Sequence, residues 1–267
     1  MAIISTYVNG RVATADDLAP LAFSGFAHFT AMQVRDGAVR GLDLHLDRLR
    51  TASDELFGHH LPDGRIRELL SSAVASAPPD VSLTCHLTTR PGEFLQSGGA
   101  DEIDVLVTVA DPVTPSAEPL ALDVVPYQRH LPHIKHVGEV AKTRFLRRAA
   151  ERGFDDAAFA DPAGHLSEAT IWNLAFRDGR TVVWPEAPVL RGVTMQIVER
   201  RLAARGVDQV VRPVGETELT AGLAGVVMNS WSPGVGLARI ADTTMEDPGE
   251  LVSLLHDAYE SEPPVAV

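Results

Sequence analysis

Apolar and polar residues alternate from Ile3 to Asn9, and the Asn9-Gly10 pair leading into Arg11-Val12-Ala13 is a two-residue hairpin signal. A second alternating run, His28 to Arg35, is followed by Asp36-Gly37 and Ala38-Val39-Arg40, so the chain is expected to open with hairpins. The period then changes. Apolar residues at 44, 46, 49, 52, 56 and 57 fall close to helical spacing and stop at Gly58. Arg65 to Ala77 repeats that pattern and ends at Pro78-Pro79. Strands are predicted from Val81 to Thr89 and from Ile103 to Val109, separated by a loop from Pro91 to Gly99.

The segment Asp111-Pro112-Val113-Thr114-Pro115-Ser116-Ala117-Glu118-Pro119 has little to bury and is rich in proline, which marks a linker. Beyond it the pattern predicts a strand at Ala121 to Val125, a helix from about Val137 to Arg152 and a strand at Ala157 to Ala160. Trp172 to Arg177 and Thr181 to Trp184 flank the turn Asp178-Gly179. A helix from about Thr194 to Ala204, a strand at Gln209 to Pro213, a helix-like Glu216 to Ala221, a strand at Gly225 to Asn229 and a helix from Gly249 to Tyr259 follow. The expected class is α/β, more strictly α+β. A small α+β domain spans 1–111, a linker 112–119, and a larger domain 120–267.

Composition narrows the chemistry. A formal net charge of −13 argues against a general nucleic-acid surface, because neutralising phosphates takes clustered Lys and Arg, so any anionic ligand has to be held locally. The first residues lack a basic stretch followed by a long apolar run, and no stretch approaches the length of a membrane span, so a cytoplasmic location is the expectation. Cys85, alone of its type, lies in a strand-like run and reads as a small core residue. The ten histidines are scattered and form no helical H-x-x-x-H pair with a nearby carboxylate, so no metal site is expected.

Lysine usage is the unusual feature. Lys135 and Lys142 are the only lysines, so 21 of the 23 basic residues are arginine. A partly desolvated lysine can become a neutral amine and form a Schiff base, which arginine cannot. Two lysines surviving on a solvated helix face is the plain structural alternative, and helical periodicity keeps Lys142 beside Phe145, Leu146 and Ala149, so residue pattern leaves both lysines open. Further on, Gly192-Val193-Thr194 leads into a helical run whose first backbone N–H groups and dipole end make an anion site, although an ordinary threonine N-cap reads the same way. Asn229-Ser230 after a strand offers another hydroxyl and further N–H groups, and Arg48 offers a fixed charge.

These segments together resemble the class IV aminotransferases, the pyridoxal-phosphate (PLP) enzymes of fold type IV that include branched-chain and D-amino-acid aminotransferases and aminodeoxychorismate lyase. The resemblance runs from Val8 to about Ile240. It rests on V-N-G-R, on H-L-D-R-L at 45 to 49, on I-K-H at 134 to 136, on G-F-D-D-A-A-F-A-D at 153 to 161, on L-S-E-A-T-I-W-N at 166 to 173, on V-L-R-G-V-T at 189 to 194 and on M-N-S at 228 to 230. It implies a small α+β domain followed by a larger β-rich domain with flanking helices, PLP as cofactor, an amino donor and a 2-oxo acid as small-molecule partners, and a homodimer.

Position by position, the resemblance implies that Lys135 forms the Schiff base with PLP and that Glu168 faces the pyridine nitrogen. Arg48, Val193, Thr194, Asn229 and Ser230 would hold the phosphate. Counting back from Glu168 gives 33 residues to Lys135 and 26 to Lys142, and only the first aligns with the family without a gap. Phe29, Thr30 and Arg90 are the substrate-side candidates. The chain departs from the family at Gly25-Phe26-Ala27-His28, where many members have an aromatic residue and G-D-G, at Gly138 in place of a frequent asparagine, and at Ala169 in place of a frequent glycine. Thr30, Lys135-His136 and Asn229-Ser230 lean toward the lyase branch, which makes pyruvate elimination the alternative to transamination. A relative that binds PLP without turnover is the reading from another class, and joint retention of Lys135 and Glu168 argues against it.

Overall fold

The computed structural model describes residues 2–23, 25–89, 102–115, 118–219 and 222–267. The chain divides into two compact units, one comprising Met1–Val113 with Ile134–Gly138 and Pro264–Val267, the other Thr114–His133 with Glu139–Pro263. Among the described residues no helix is long and apolar enough to cross a membrane.

The first unit contains β1 (Ile3–Val8), β2 (Arg11–Val12), α1 (Ala15–Phe23), β3 (Ala27–Val34), β4 (Ala38–Arg40), α2 (Leu42–Phe57), α3 (Asp63–Val74), β5 (Val81–Thr89) and β6 (Ile103–Ala110). Its antiparallel sheet has the order β2-β1-β6-β5-β3, and a last short strand, Pro264–Ala266, pairs with β4. The Asn9-Gly10 and Asp36-Gly37 turns form where the sequence puts them, because Asn and Asp tolerate the positive φ that Gly adopts next. Helix α1 was not foreseen: Asp16 and Asp17 sit in its first turn, and Asp17 holds Arg11 and Thr14 across its start. One face of the sheet packs on α2 and α3 through Met32, Leu46, Leu49, Leu70, Leu83, Cys85 and Val107, each side chain worth about 1.5–3 kcal/mol for the larger apolar ones. Cys85 is fully buried, and burial pushes its thiol up to about 12.

Two histidines are built into this core. His28 Nε2 lies 2.9 Å from Ser53 Oγ, and Thr30 Oγ1 lies 2.7 Å from His45 Nδ1, so β3 is stitched to α2 by two buried polar pairs. Burial holds both imidazoles down to a pKa of about 3, with His86 adding to the effect at His28 and Arg48 at His45. Both stay neutral in the folded chain, whereas the unfolded chain protonates near 6.5. Stability is therefore fully present above pH 6.5 and lost as pH falls toward 3, at about 1.4 kcal/mol per pH unit for each group. Glu168 and Asp156, whose folded-state values are raised, act in the opposite direction. Comparing urea midpoints at pH 7 and pH 5 in the parent and in His45→Gln, which share those carboxyl groups, isolates the His45 contribution: the loss on acidification should be smaller in the variant, and equal losses would contradict this.

The second unit contains β7 (Leu120–Pro126), α4 (Val140–Glu151), β8 (Asp156–Ala160), β9 (Leu166–Ala169), β10 (Asn173–Asp178), β11 (Thr181–Pro185), α5 (Val193–Ala204), β12 (Gln209–Arg212), β13 (Leu223–Met228), β14 (Val235–Ile240), β15 (Thr243–Thr244) and α6 (Gly249–Glu260). The sheet runs β12-β11-β10-β13-β14-β7-β8-β9, and β9 pairs back onto β10, closing the strands from β10 to β9 into a ring. Its interior is filled by Leu122, Leu166, Leu174, Phe176, Val227 and Leu237, while α5 and α6 cover Trp184, Val226 and Met228 from outside. Strands β9, β14 and β15 were not foreseen, and the stretch expected to be helical from Glu216 forms a single 3-10 turn over Glu216–Glu218.

Helix α4 begins at Val140 rather than near Val137. The residues before it are held extended against β3: Phe29 N–H donates to Lys135 O at 2.8 Å and Val137 N–H to Ala27 O at 3.1 Å. Backbone pairing with a strand competes for the groups that a longer helix needs, so Ile134–Gly138 groups with the first unit.

Candidate functional site

In the second unit the candidate residues gather at adjacent strand ends. Glu168 on β9 is directly opposite Asn173 on β10, and Asn173 is opposite Met228, the last residue of β13. Asn229 and Ser230 leave that strand end as a turn, in which Asn229 Oδ1 accepts from Trp231 N–H at 2.7 Å. Asn173 also reaches the start of α5. Its Oδ1 accepts from Gly192 N–H at 3.1 Å and its Nδ2 donates to Leu190 O at 2.6 Å. One buried asparagine thus joins the glutamate strand and the strand before the Asn229-Ser230 turn through its backbone, and the helix start through its side chain.

Gly192 is the N-cap of α5, so Thr194 lies within the first turn instead of capping it, and no side chain caps the helix. The ladder begins with Gln196 N–H to Gly192 O, which places the amides of Val193, Thr194 and Met195 ahead of it. A Cβ on Gly192 would lie 2.2 Å from Asn173 Oδ1, so this junction requires glycine. Asn173→Ala should cost about 2–3 kcal/mol, because the buried Leu190 carbonyl and the half-buried Gly192 N–H lose their partner, and should weaken cofactor retention in parallel. Thermal unfolding and PLP titration check this; unchanged values in both would remove Asn173 from the assembly.

The Glu168 carboxylate is buried at 4% exposure in a network that sequence reasoning missed. Arg129, with its side chain 1% exposed, donates from Nη1 to Glu168 Oε1 at 3.3 Å, from Nη1 to Pro132 O at 2.7 Å and from Nε to Glu139 Oε1 at 2.5 Å. Burial raises the Glu168 carboxyl above its ordinary value, while Arg129 and then Lys142 pull it down. Lys142, half-buried in the first turn of α4, has its ammonium lowered by burial and by Arg129 and supported by Glu168 and Glu139. Asp156 is saturated with donors from Thr170, Trp172 and Ala157, which suits a structural role. The signal for Arg129 was only that an arginine precedes Lys135 in an extended segment, which does not separate it from the other arginines.

In the first unit, Lys135 Nζ lies 4.8 Å from the centroid of the Phe29 ring, so these two candidates are brought together. Thr30 is not with them. It points to the opposite face of β3, is fully buried and is occupied by His45, which makes it a packing residue of the α2 side and not a substrate wall. Arg48 lies one helical turn after His45, and burial pulls its guanidinium down to about 10, still charged at neutral pH. Arg90 lies outside the described residues.

Comparison with known proteins adds the decisive observation. The family model for amino-transferase class IV matches residues 27–240. The chain belongs to the class IV aminotransferases. A search of curated proteins finds no match. Among solved structures it is similar to the branched-chain aminotransferase of Thermoproteus uzoniensis with norvaline, at 16% identity over 97% of this chain and 94% of that one, with a TM-score of 0.84. The Thermobaculum terrenum enzyme in its PLP form gives 17% identity, coverage of 97% and 93%, and a TM-score of 0.83. The Escherichia coli branched-chain aminotransferase gives 12%, coverage of 97% and 94%, and 0.84.

This member of the family is a PLP-dependent aminotransferase of fold type IV. The second unit fits the cofactor on its own geometry. A buried carboxylate suits a protonated ring nitrogen, an uncapped helix start suits a phosphate, and Asn173 holds the two at fixed separation.

Proposed function

We propose that this aminotransferase moves an amino group between an amino acid or amine and a 2-oxo acid, with Lys135 as the cofactor-bearing lysine. The observation that carries this reading is the Asn173 junction, which ties the carboxylate strand to the uncapped start of α5. Bound PLP supplies an electron sink for the substrate carbon attached to nitrogen. Glu168 would hold a proton on the ring nitrogen by remaining ionised, and the Arg129 cation set against its buried carboxylate opposes the burial that raises it. Arg129 orients that carboxylate and occupies Glu139 with the same guanidinium. The amides of Val193 and Thr194, the Ser230 hydroxyl and the Asn229 turn would hold the phosphate, with Arg48 as the charge that the family resemblance assigns to it. Lys135 would serve as general base and acid for the proton at the substrate carbon.

A donor screen on the PLP-loaded protein, following keto-acid release and the visible absorption band together, tests the reading. Bleaching of the band by amino donors with keto-acid release supports it, and a stable band with no keto acid from any donor would contradict it. Arg48→Ala should weaken PLP binding by roughly ten- to a hundredfold, the scale of one or two charge-assisted hydrogen bonds. Arg50→Ala is the control, since Arg50 is engaged with Asp63 at 2.8 Å and with Asp47 at 2.8 Å. Equal retention by both variants would remove Arg48 from the cradle. A homodimer is part of the proposal, and an active species of monomer mass would contradict it.

A further inference from the structure

Glu139 is the N-cap residue of α4, yet its carboxylate caps nothing. It turns instead to Arg129, whose Nε and Nη2 both lie 2.5 Å from Glu139 Oε1. The remaining arm of the guanidinium is shared: Nη1 gives a short contact, 2.7 Å, to Pro132 O and only a long one, 3.3 Å, to Glu168 Oε1. Arg129 is thus committed first to Glu139. Lys142 follows three residues later in the first turn of α4, its N–H donating to Glu139 O at 3.2 Å. The charges acting on Glu168 are therefore two cations, Arg129 and Lys142, and one anion, Glu139. Asp156 acts on Lys142 and has its oxygens taken by Thr170, Trp172 and Ala157. Tyr127 faces Glu139, Arg129 and Glu168 with a hydroxyl that burial and then Glu139 raise, so it stays protonated at neutral pH. Desolvation offsets much of the attraction in a buried ion pair, so folding alone is a weak reason to set a 13%-exposed Glu139 side chain against Arg129.

We propose that Glu139 is a positioning residue for Glu168: it holds the Arg129 guanidinium off that carboxylate and offsets one of the two cations beside it, which leaves the Glu168 charge available to a protonated ring nitrogen of the cofactor. This rests on the reading of Glu168 as the partner of that nitrogen. Without Glu139 the guanidinium is released to close on Glu168 as a two-pronged pair. The carboxylate then faces two cations before the ring brings a third positive charge, and the proton on the ring is disfavoured. Glu139→Gln keeps the size of the side chain and removes the countercharge. Lys142→Met removes a cation and acts in the opposite sense, so the two changes together offset each other.

The test loads the protein with PLP labelled with 15N in the ring and follows the ring-nitrogen resonance against pH. In Glu139→Gln the ring nitrogen should lose its proton at least about one pH unit lower than in the parent, with kcat reduced roughly tenfold. Glu139→Asp, which keeps the charge, should lie closer to the parent than Glu139→Gln does. Lys142→Met should move the profile upward, and Glu139→Gln/Lys142→Met should recover part of the shift. A residue that only braces Arg129 would lower the melting temperature and leave the ring-nitrogen profile where it was. An unmoved profile in Glu139→Gln, or a shift that Lys142→Met does not reduce, would overturn the proposal. Glu168→Gln separates the two levels: if it moves the profile and Glu139→Gln does not, the proposal for Glu139 fails alone, and if Glu168→Gln leaves the profile unchanged, the reading on which it rests fails.

Discussion

Replacing Glu168 by Gln is expected to give a protein that still takes up PLP but turns over at least about a hundredfold more slowly. The amide keeps the size of the carboxylate and can still accept from Arg129, so the strand end and the Asn173 junction survive. What disappears is the negative charge that keeps a proton on the ring nitrogen, and with it the electron withdrawal on which the proton shift depends. A 4%-exposed position makes the loss severe, because water is not there to substitute for the missing charge. Turnover within a few-fold of the parent would mean that another group controls the ring.

Lys135→Ala should abolish turnover, by about a thousandfold or more, whereas Lys142→Ala should retain the reaction with a moderate loss. The two lysines occupy different settings. Lys135 lies in an extended segment fixed to β3, with its amine on the Phe29 ring. Lys142 lies on α4 within the charge network of Arg129, Glu139 and Glu168, where its loss removes one of the two cations pulling on the glutamate. Steady-state rates with a saturating donor distinguish the two, and comparable loss in both variants would undo the separation of roles.

Much of the fold was legible because burial follows simple periods. The 2-residue alternation of β3 and the glycine stop of α2 at Gly58 both appear in the structure where the pattern puts them. Strand β9 was not legible: it has four residues, all buried, and alternation is lost when both faces are covered. The early start expected for α4 failed because residues 134–138 pair with a strand more than 100 positions upstream in the chain, and local propensity does not register such a partner. At the site, Glu168 was singled out by the family resemblance alone and the 192–194 helix start by its residue pattern; the structure buries the first and leaves the second without a side-chain cap. Arg129 and Asn173 were not assigned roles, since their value lies in what they touch: Arg129 in two carboxylates and a carbonyl, Asn173 in a carbonyl and the Gly192 amide. Thr30 shows the reverse error, a residue next to Phe29 in sequence that faces the other side of the strand.

The central claim is that Lys135, not Lys142, carries the cofactor, and borohydride reduction of the PLP-loaded protein followed by peptide mapping tests it most directly. Reduction fixes the cofactor to whichever amine holds it. The account predicts the pyridoxyl group on the peptide containing Lys135, with Lys142 unlabelled; a pyridoxyl group on Lys142 with Lys135 unlabelled would contradict it.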